Sequence, residues 1–206
     1  MKIKICGLTH PDDAKCAVSS GADFIGIIFA ERSRRKVSLS MAKGIAEITK
    51  NLKAEPVAVF DNQTADQIFS ICDKTGIKTV QLHGAVSKQA LCALSDKYSV
   101  IYAIEVNDQG EITPSLTLPP SVIPLYDNVN GGTGLTFNQS AFTPPDHTGW
   151  LLAGGLTPDN VAQSIALLNP GGVDVSTGVE IPGSTRKNPI LVKAFIRAAK
   201  NVKDTL

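Results

Sequence analysis

Aromatic side chains are scarce in this chain, at 5% of its 206 residues, and neither charge is in surplus: 20 lysines and arginines face 19 acids, for a formal net charge of +1. The first shortage removes the stacking platform that base recognition uses. The second removes the basic field that draws in nucleic acid or an anionic membrane. No apolar run approaches the roughly 20 residues that cross a bilayer. The N-terminus enters a strand pattern directly, without a long apolar stretch and small-residue cleavage site, so no signal peptide is expected. Cysteine is confined to Cys6, Cys16, Cys72 and Cys92, with no CxxC pair and no zinc-like spacing to His10, His83 or His147. These are expected to be reduced thiols, and the expected compartment is the cytoplasm.

What is present is a repeating order. Short β-branched runs recur as "IKIC" (3–6), "DFIGIIF" (23–29), "PVAVFD" (56–61), "KTVQLH" (78–83), "SVIYAIE" (99–105), "SVIPLYD" (121–127), "GWLLAGG" (149–155) and "GVDVS" (172–176). Most are followed by a segment with helical spacing of apolar residues: 11–21, 38–52, 64–76, 87–97, 157–168 and 188–202. Pro11 and Gly21 bracket the first of these as start and stop signals, and several others begin at Ser, Thr or Asn. Two intervals break the rule. Residues 106–120 are too rich in proline and turn formers for a helix, and 128–146 is mostly loop, with room for a short helical turn near Phe137. Eight strand–crossover units predict an α/β fold: one (β/α)8 TIM barrel spanning 1–206, with an irregular crossover in place of the fifth helix. An open dinucleotide-binding sheet would need GxGxxG after the first strand, where "CGLTHPDD" stands.

A barrel carries its chemistry at the C-terminal ends of its strands. The reactive residues there are Cys6, Asp61, His83, Glu105 and Asp127. Alternation puts Ile3 and Ile5 against the outer helices and turns Lys4 and Cys6 inward. An inward cysteine is either a buried inert thiol or a reagent at the barrel mouth. The loops after strands 7 and 8, "AGGLTPDN" (153–160) and "VSTGVE" (175–180), stand where barrels bind phosphate, and their glycines let backbone N–H groups approach an anion. "SRRKVS" (33–38) is either a solvated basic loop or an arginine clamp for a carboxylate. "NGGTG" (130–134) is either a lid or a long turn. Composition does not rank Asp61, Glu105 and Asp127, and His83 reads equally as a ligand contact or a structural histidine.

Taken in order, "KICG", the S-x-R-x-V spacing of "SRRKV", "VQLHG", "GGTG" after a strand-end Asp, "AGGLTPDNV" and "GVDVSTGVE" closely resemble phosphoribosylanthranilate isomerase, from Lys4 to about Gly183. The resemblance implies the Amadori rearrangement of N-(5-phosphoribosyl)anthranilate to 1-(2-carboxyphenylamino)-1-deoxyribulose 5-phosphate in tryptophan biosynthesis. It implies Cys6 as general base and Asp127 as general acid. Arg35 would contact the anthranilate part, His83 would face the substrate, and Gly154, Gly155, Ser176, Thr177 and Gly178 would form the phosphate loops. No metal or organic cofactor is implied, and the partner is the small sugar phosphate alone, bound by a monomer or a homodimer. A thiol near its ordinary pKa of about 8.5 is barely ionised at neutral pH, so a local cationic or helix-terminal influence on Cys6 is expected, with Lys4 one candidate. Two departures stand out: Arg34 sits where the family often has proline, and "PGSTRKNP" (182–189) replaces a shorter acidic pattern, so the resemblance assigns no role to Lys187.

Rival readings want other residues. An indole-glycerol-phosphate synthase would use lysine and glutamate at strand ends, a ribulose-phosphate epimerase several metal-binding His and Asp, and an isomerase that also serves histidine biosynthesis an acid in the place of Cys6. A non-catalytic phosphate-binding barrel would not need both Cys6 and Asp127.

Overall fold

The computed structural model describes residues 1–112, 117–128, 137–144 and 149–202. Eight parallel strands close on themselves in chain order: β1 (Lys2–Ile5), β2 (Phe24–Ile28), β3 (Glu55–Phe60), β4 (Thr79–Leu82), β5 (Ser99–Val106), β6 (Ile123–Asn128), β7 (Leu151–Leu152) and β8 (Gly172–Val175). All eight fall within or beside the predicted runs. Closure is made by β1 against β8, where Lys4 stands opposite Asp174.

Strand alternation sorts the core into two clusters. Ile3, Ile5, Ile25, Ile27 and Phe60 face outward and pack with helix residues such as Ile45, Ile68, Val192 and Phe195. Cys6, Val57, Val59, Ile101, Ala103, Leu125, Leu151 and Ala153 fill the inside of the barrel. Each fully buried Ile or Phe of the outer layer contributes roughly 1.5–3 kcal/mol of apolar transfer. The inside is not wholly apolar. Lys4 and Gln81 are 0% and 2% exposed, and both project among those side chains.

The helices start where the sequence supplies a cap. Nδ1 of His10 accepts from Asp12 N ahead of α1 (Pro11–Ser20), Oγ of Ser38 from Met41 N ahead of α2 (Leu39–Asn51), and Thr64 and Gln67 form a reciprocal capping box on α3 (Ala65–Thr75). Gly21 and Gly76 end α1 and α3 in left-handed backbone. Asn188 caps α7 (Pro189–Asn201), with Pro189 in its first turn.

The structure corrects two helix expectations. The predicted helix at 87–97 is instead two single turns, α4 (Ala85–Lys88) and α5 (Leu91–Leu94). Ser87 is pinned to the end of β3, donating from N to Asp61 O and from Oγ to Phe60 O, and the chain between the turns tightens into three-residue bonds such as Ala90 N to Ser87 O. The helix predicted at 157–168 starts later, as α6 (Val161–Leu168). Before it, Asn160 accepts from Thr157 N and donates to Gly155 O, holding the Gly154–Asn160 stretch as a loop. The described part of the crossover after β5 contains no helix, as its prolines predict. Near Phe137 the chain makes a turn, Ala141 N to Asn138 O, rather than a helical one. The "GGTG" at 131–134 lies outside the described residues.

Candidate active site

The C-terminal ends of the strands enclose a cavity of about 520 Å³. Cys6 enters it from the end of β1, Asp127 from β6 and Asp174 from β8; Gln81 and His83 enter from β4, and Arg35 from the loop after β2. Beside it a cleft of about 50 Å³ runs between Ala153–Leu156 and Val175–Gly178, with Asp127 and Asp174 shared by both spaces. The structure therefore gathers the sequence-predicted residues into two adjoining compartments. Cys6, Asp127, Arg35 and His83 line the larger one, and Gly154, Gly155, Thr177 and Gly178 the cleft, with Ser176 lining both. Of the unranked acids, Asp61 lines the larger cavity, whereas the Glu105 side chain is 51% exposed and lies 3.9 Å from Lys88.

Glycines set the cleft's shape by letting backbones meet. A Cβ on Gly178 would fall 2.0 Å from Leu156 O, so only glycine lets the β7 and β8 loops touch there. Gly154 is in left-handed backbone, φ +86°, with Asn128 N and Asp127 Oδ1 within about 3 Å of where a Cβ would stand. Thr177–Val179 forms a single 3-10 turn after β8.

Cys6 is 6% exposed. Burial raises its thiol above the ordinary value; Lys4 pulls the other way without overcoming that, and Asp174 adds to the rise. The expected cationic influence is present and comes from Lys4, but desolvation outweighs it. Burial by itself would lower Lys4, yet Asp174, which takes Nζ at 3.0 Å on each carboxylate oxygen, and Cys6 hold it above its ordinary value. Asp127 is 9% exposed, and its carboxyl is raised to about 7, first by burial and then by Asp174, against a 2.8 Å hydrogen bond from Asn128 N. His83 is lowered, chiefly by burial and then by Lys88, which keeps the ring neutral. Gln81 Nε2 lies 3.4 Å from His83 Nδ1, while Gln81 Oε1 is buried without a hydrogen-bond partner among the described residues.

Arg35 is held rather than free. Its stem crosses Gly7, where a Cβ would stand 2.5 Å from Arg35 Cδ. Nε donates to Glu180 Oε1 at 2.6 Å and Nη2 to Thr177 Oγ1 at 2.8 Å. Burial would raise Glu180, but the hydrogen bond from Arg35 and the Lys187 charge hold it below its usual range. Sequence reasoning missed Gln81, Asp174 and Glu180. The first two were findable, each standing two residues before a suspect, on the same strand face: Gln81 before His83 and Asp174 before Ser176. Among the described residues no group of three His, Cys, Asp or Glu is placed to hold a metal ion.

The sequence model of the N-(5'-phosphoribosyl)anthranilate (PRA) isomerase family matches residues 3–198. The N-(5'-phosphoribosyl)anthranilate isomerase of Chlamydia caviae is 58% identical over 200 residues, 97% of each chain, and that of Chlamydia trachomatis 43% over 208 residues, 100% of this chain and 99% of the relative. The phosphoribosyl anthranilate isomerase of Thermotoga maritima superposes with a TM-score of 0.81 at 28% identity, over 98% of this chain and 99% of the other. A structure of phosphoribosyl anthranilate isomerase in complex with reduced 1-(o-carboxyphenylamino)-1-deoxyribulose 5-phosphate matches with a TM-score of 0.77 at 27% identity, over 98% and 99%.

Proposed function

The chain belongs to the N-(5'-phosphoribosyl)anthranilate isomerase family, an isomerase family of tryptophan biosynthesis, and from that premise we propose that Cys6 and Asp127 are its base and acid. The observation that carries this is the meeting of a thiol from β1 and a protonatable carboxyl from β6 in one cavity, flanked by glycine loops that fit a phosphate. In this reading the phosphate lies in the cleft of Gly154, Gly155, Ser176, Thr177 and Gly178, which fixes the sugar's reacting end between the two groups.

The steps follow from the groups present. Asp127, a carboxyl raised to about 7, gives its proton to the ribose ring oxygen as the C1–O bond breaks and the anthranilate nitrogen's lone pair forms the C1=N iminium. The iminium acidifies C2–H. Cys6, as thiolate, takes that proton, and the C2–H electrons form C1=C2 while the C=N pair returns to nitrogen. The enolamine then becomes the ketone by moving the C2 hydroxyl proton away and placing a proton on C1. The substrate nitrogen is the electron sink throughout, so the scheme calls on no metal or organic cofactor. Lys4 and the transient iminium are the positive charges beside which the thiolate forms. Neutral His83, oriented by Gln81, serves as a hydrogen-bonding contact for the substrate. Arg35 serves the anthranilate carboxylate.

The 206 residues act as one catalytic domain in this reading, on a small sugar phosphate rather than on nucleic acid or a membrane. The four free cysteines fit a reducing cytoplasm. The test is turnover of phosphoribosylanthranilate generated in situ, followed by loss of its fluorescence. Cys6→Ser and Asp127→Asn, each shown to be folded by circular dichroism, are expected to lose at least about 100-fold in kcat. A wild-type rate matched by either variant would end that residue's role.

A further inference from the structure

The carboxylate of Glu180 is crowded with cations. Arg35 grips it with Nε on Oε1 at 2.6 Å and Nη2 on Oε2 at 3.1 Å, Lys187 Nζ reaches Oε1 at 3.0 Å, and Arg34 Nη2 pairs with Oε2. The acid's side chain is 4% exposed, so three cations share one buried anion and leave an excess of positive charge at this edge of the cavity. The three are not equivalent. Lys187 is 1% exposed and also donates to Ser176 O, whereas the Arg34 side chain is 51% exposed and lines the cavity.

Arg35 alone is poorly set to receive a second carboxylate. A guanidinium has five N–H groups and binds a carboxylate best with two parallel donors on neighbouring nitrogens. Nε–H and one Nη2–H of Arg35 go to Glu180, and the other Nη2–H goes to Thr177 Oγ1. Both two-nitrogen edges of Arg35 thus include a committed N–H, and Nη1 is its free end among the described residues. Arg34, on the same acid and open to the cavity, has donors to spare.

Resting on the reading that Arg35 meets the anthranilate carboxylate, we propose that Arg34 is a second specificity-determining residue of that subsite: its guanidinium and Nη1 of Arg35 together hold the aryl carboxylate, with Glu180 as the shared anchor. The excess of cations over acid is the charge the substrate carboxylate completes.

Binding of two ligands tests this: reduced 1-(o-carboxyphenylamino)-1-deoxyribulose 5-phosphate, and its counterpart built on aniline, which lacks only the carboxylate. Arg34→Ala is expected to weaken the first about three- to tenfold and the second less than about twofold, with KM for phosphoribosylanthranilate raised to match and kcat nearly kept. Arg34→Lys, which keeps the charge but not the flat fork, should fall between. Lys36→Ala, which removes the same charge from an exposed pair with Glu31, should alter neither ligand. Equal weakening of both ligands by Arg34→Ala would assign Arg34 to holding Glu180 in place and overturn the inference, as would no weakening of either. Failure of the wild type to bind either ligand would instead bring down the underlying reading of the site, and the inference with it.

Discussion

A carboxyl group that keeps its proton to about pH 7 has been taken out of water, and for Asp127 that has a cost the fold must carry. In the unfolded chain such a group ionises near pH 3.9. Between that value and about 7 the folded state binds more protons than the unfolded one, so stability falls as pH rises through this window and levels off above it. Asp127→Asn removes the ionisation while keeping an oxygen for Asn128 N. The variant is therefore expected to match the wild type near pH 4 and to be more stable than it at pH 8, by on the order of 2–4 kcal/mol. Urea unfolding at the two pH values measures the difference, and an equal gap at both would mean that Asp127 does not titrate in this range. A stabilised, inactive Asp127→Asn is the pattern expected when a residue is kept for chemistry against the interest of the fold.

At the scale of elements, the seat of the thiol is made by a missing side chain on the neighbouring strand. A Cβ on Gly26 of β2 would stand 2.6 Å from Cys6 Sγ and 3.0 Å from Cys6 Cα, closer than atoms approach. Gly26→Ala must therefore move Cys6, and a displacement near 1 Å at a reacting group costs about 100-fold. The expected result is a folded protein with kcat down by about that factor and KM changed little; kcat at the wild-type level would show that the thiol has room to shift. Gly26 could not be picked out from "DFIGIIF", because its partner lies on another strand. What could be read there was the inward turn of Cys6, since alternation along "KIKIC" is a local property, and all eight strands were legible on the same ground. The helix expected at 87–97 was not, because the bonds that break it run from Ser87 to Phe60 and Asp61, carbonyls that no local pattern reveals. The late start of α6 was half visible: "TPDN" holds the Thr and Asn that build the turn, but their side chains bond to the loop instead of to the first helical turn.

For the molecule as a whole, barrel closure makes the site's electrostatics. Lys4 and Asp174 are distant in sequence and adjacent in register across the β1–β8 seam, so the sequence disclosed the cation beside Cys6 but not the acid that balances it. Burial sets the protonation states and this pair adjusts them: the thiol raised, the Asp127 carboxyl at about 7. Catalysis by a thiolate base and a protonated acid then uses the minor of the two singly ionised forms of the pair. The pH dependence follows from multiplying two fractions. Below about 7 Asp127 is protonated, and the thiolate fraction grows tenfold per unit, so kcat/KM climbs with pH. Between about 7 and the raised value of the thiol, the loss of protonated Asp127 cancels the gain of thiolate and the profile is flat. Above the thiol's value only the loss remains and kcat/KM falls. The bend near 7 thus belongs to Asp127, although Asp127 acts in its protonated form. Substituting that residue with Asn should remove the bend from whatever activity survives, letting the rate climb on until the thiol ionises. A wild-type profile that instead peaks well below pH 7 would show that the Asp127 carboxyl does not hold its proton to about 7, and the account of its burial would fall with it.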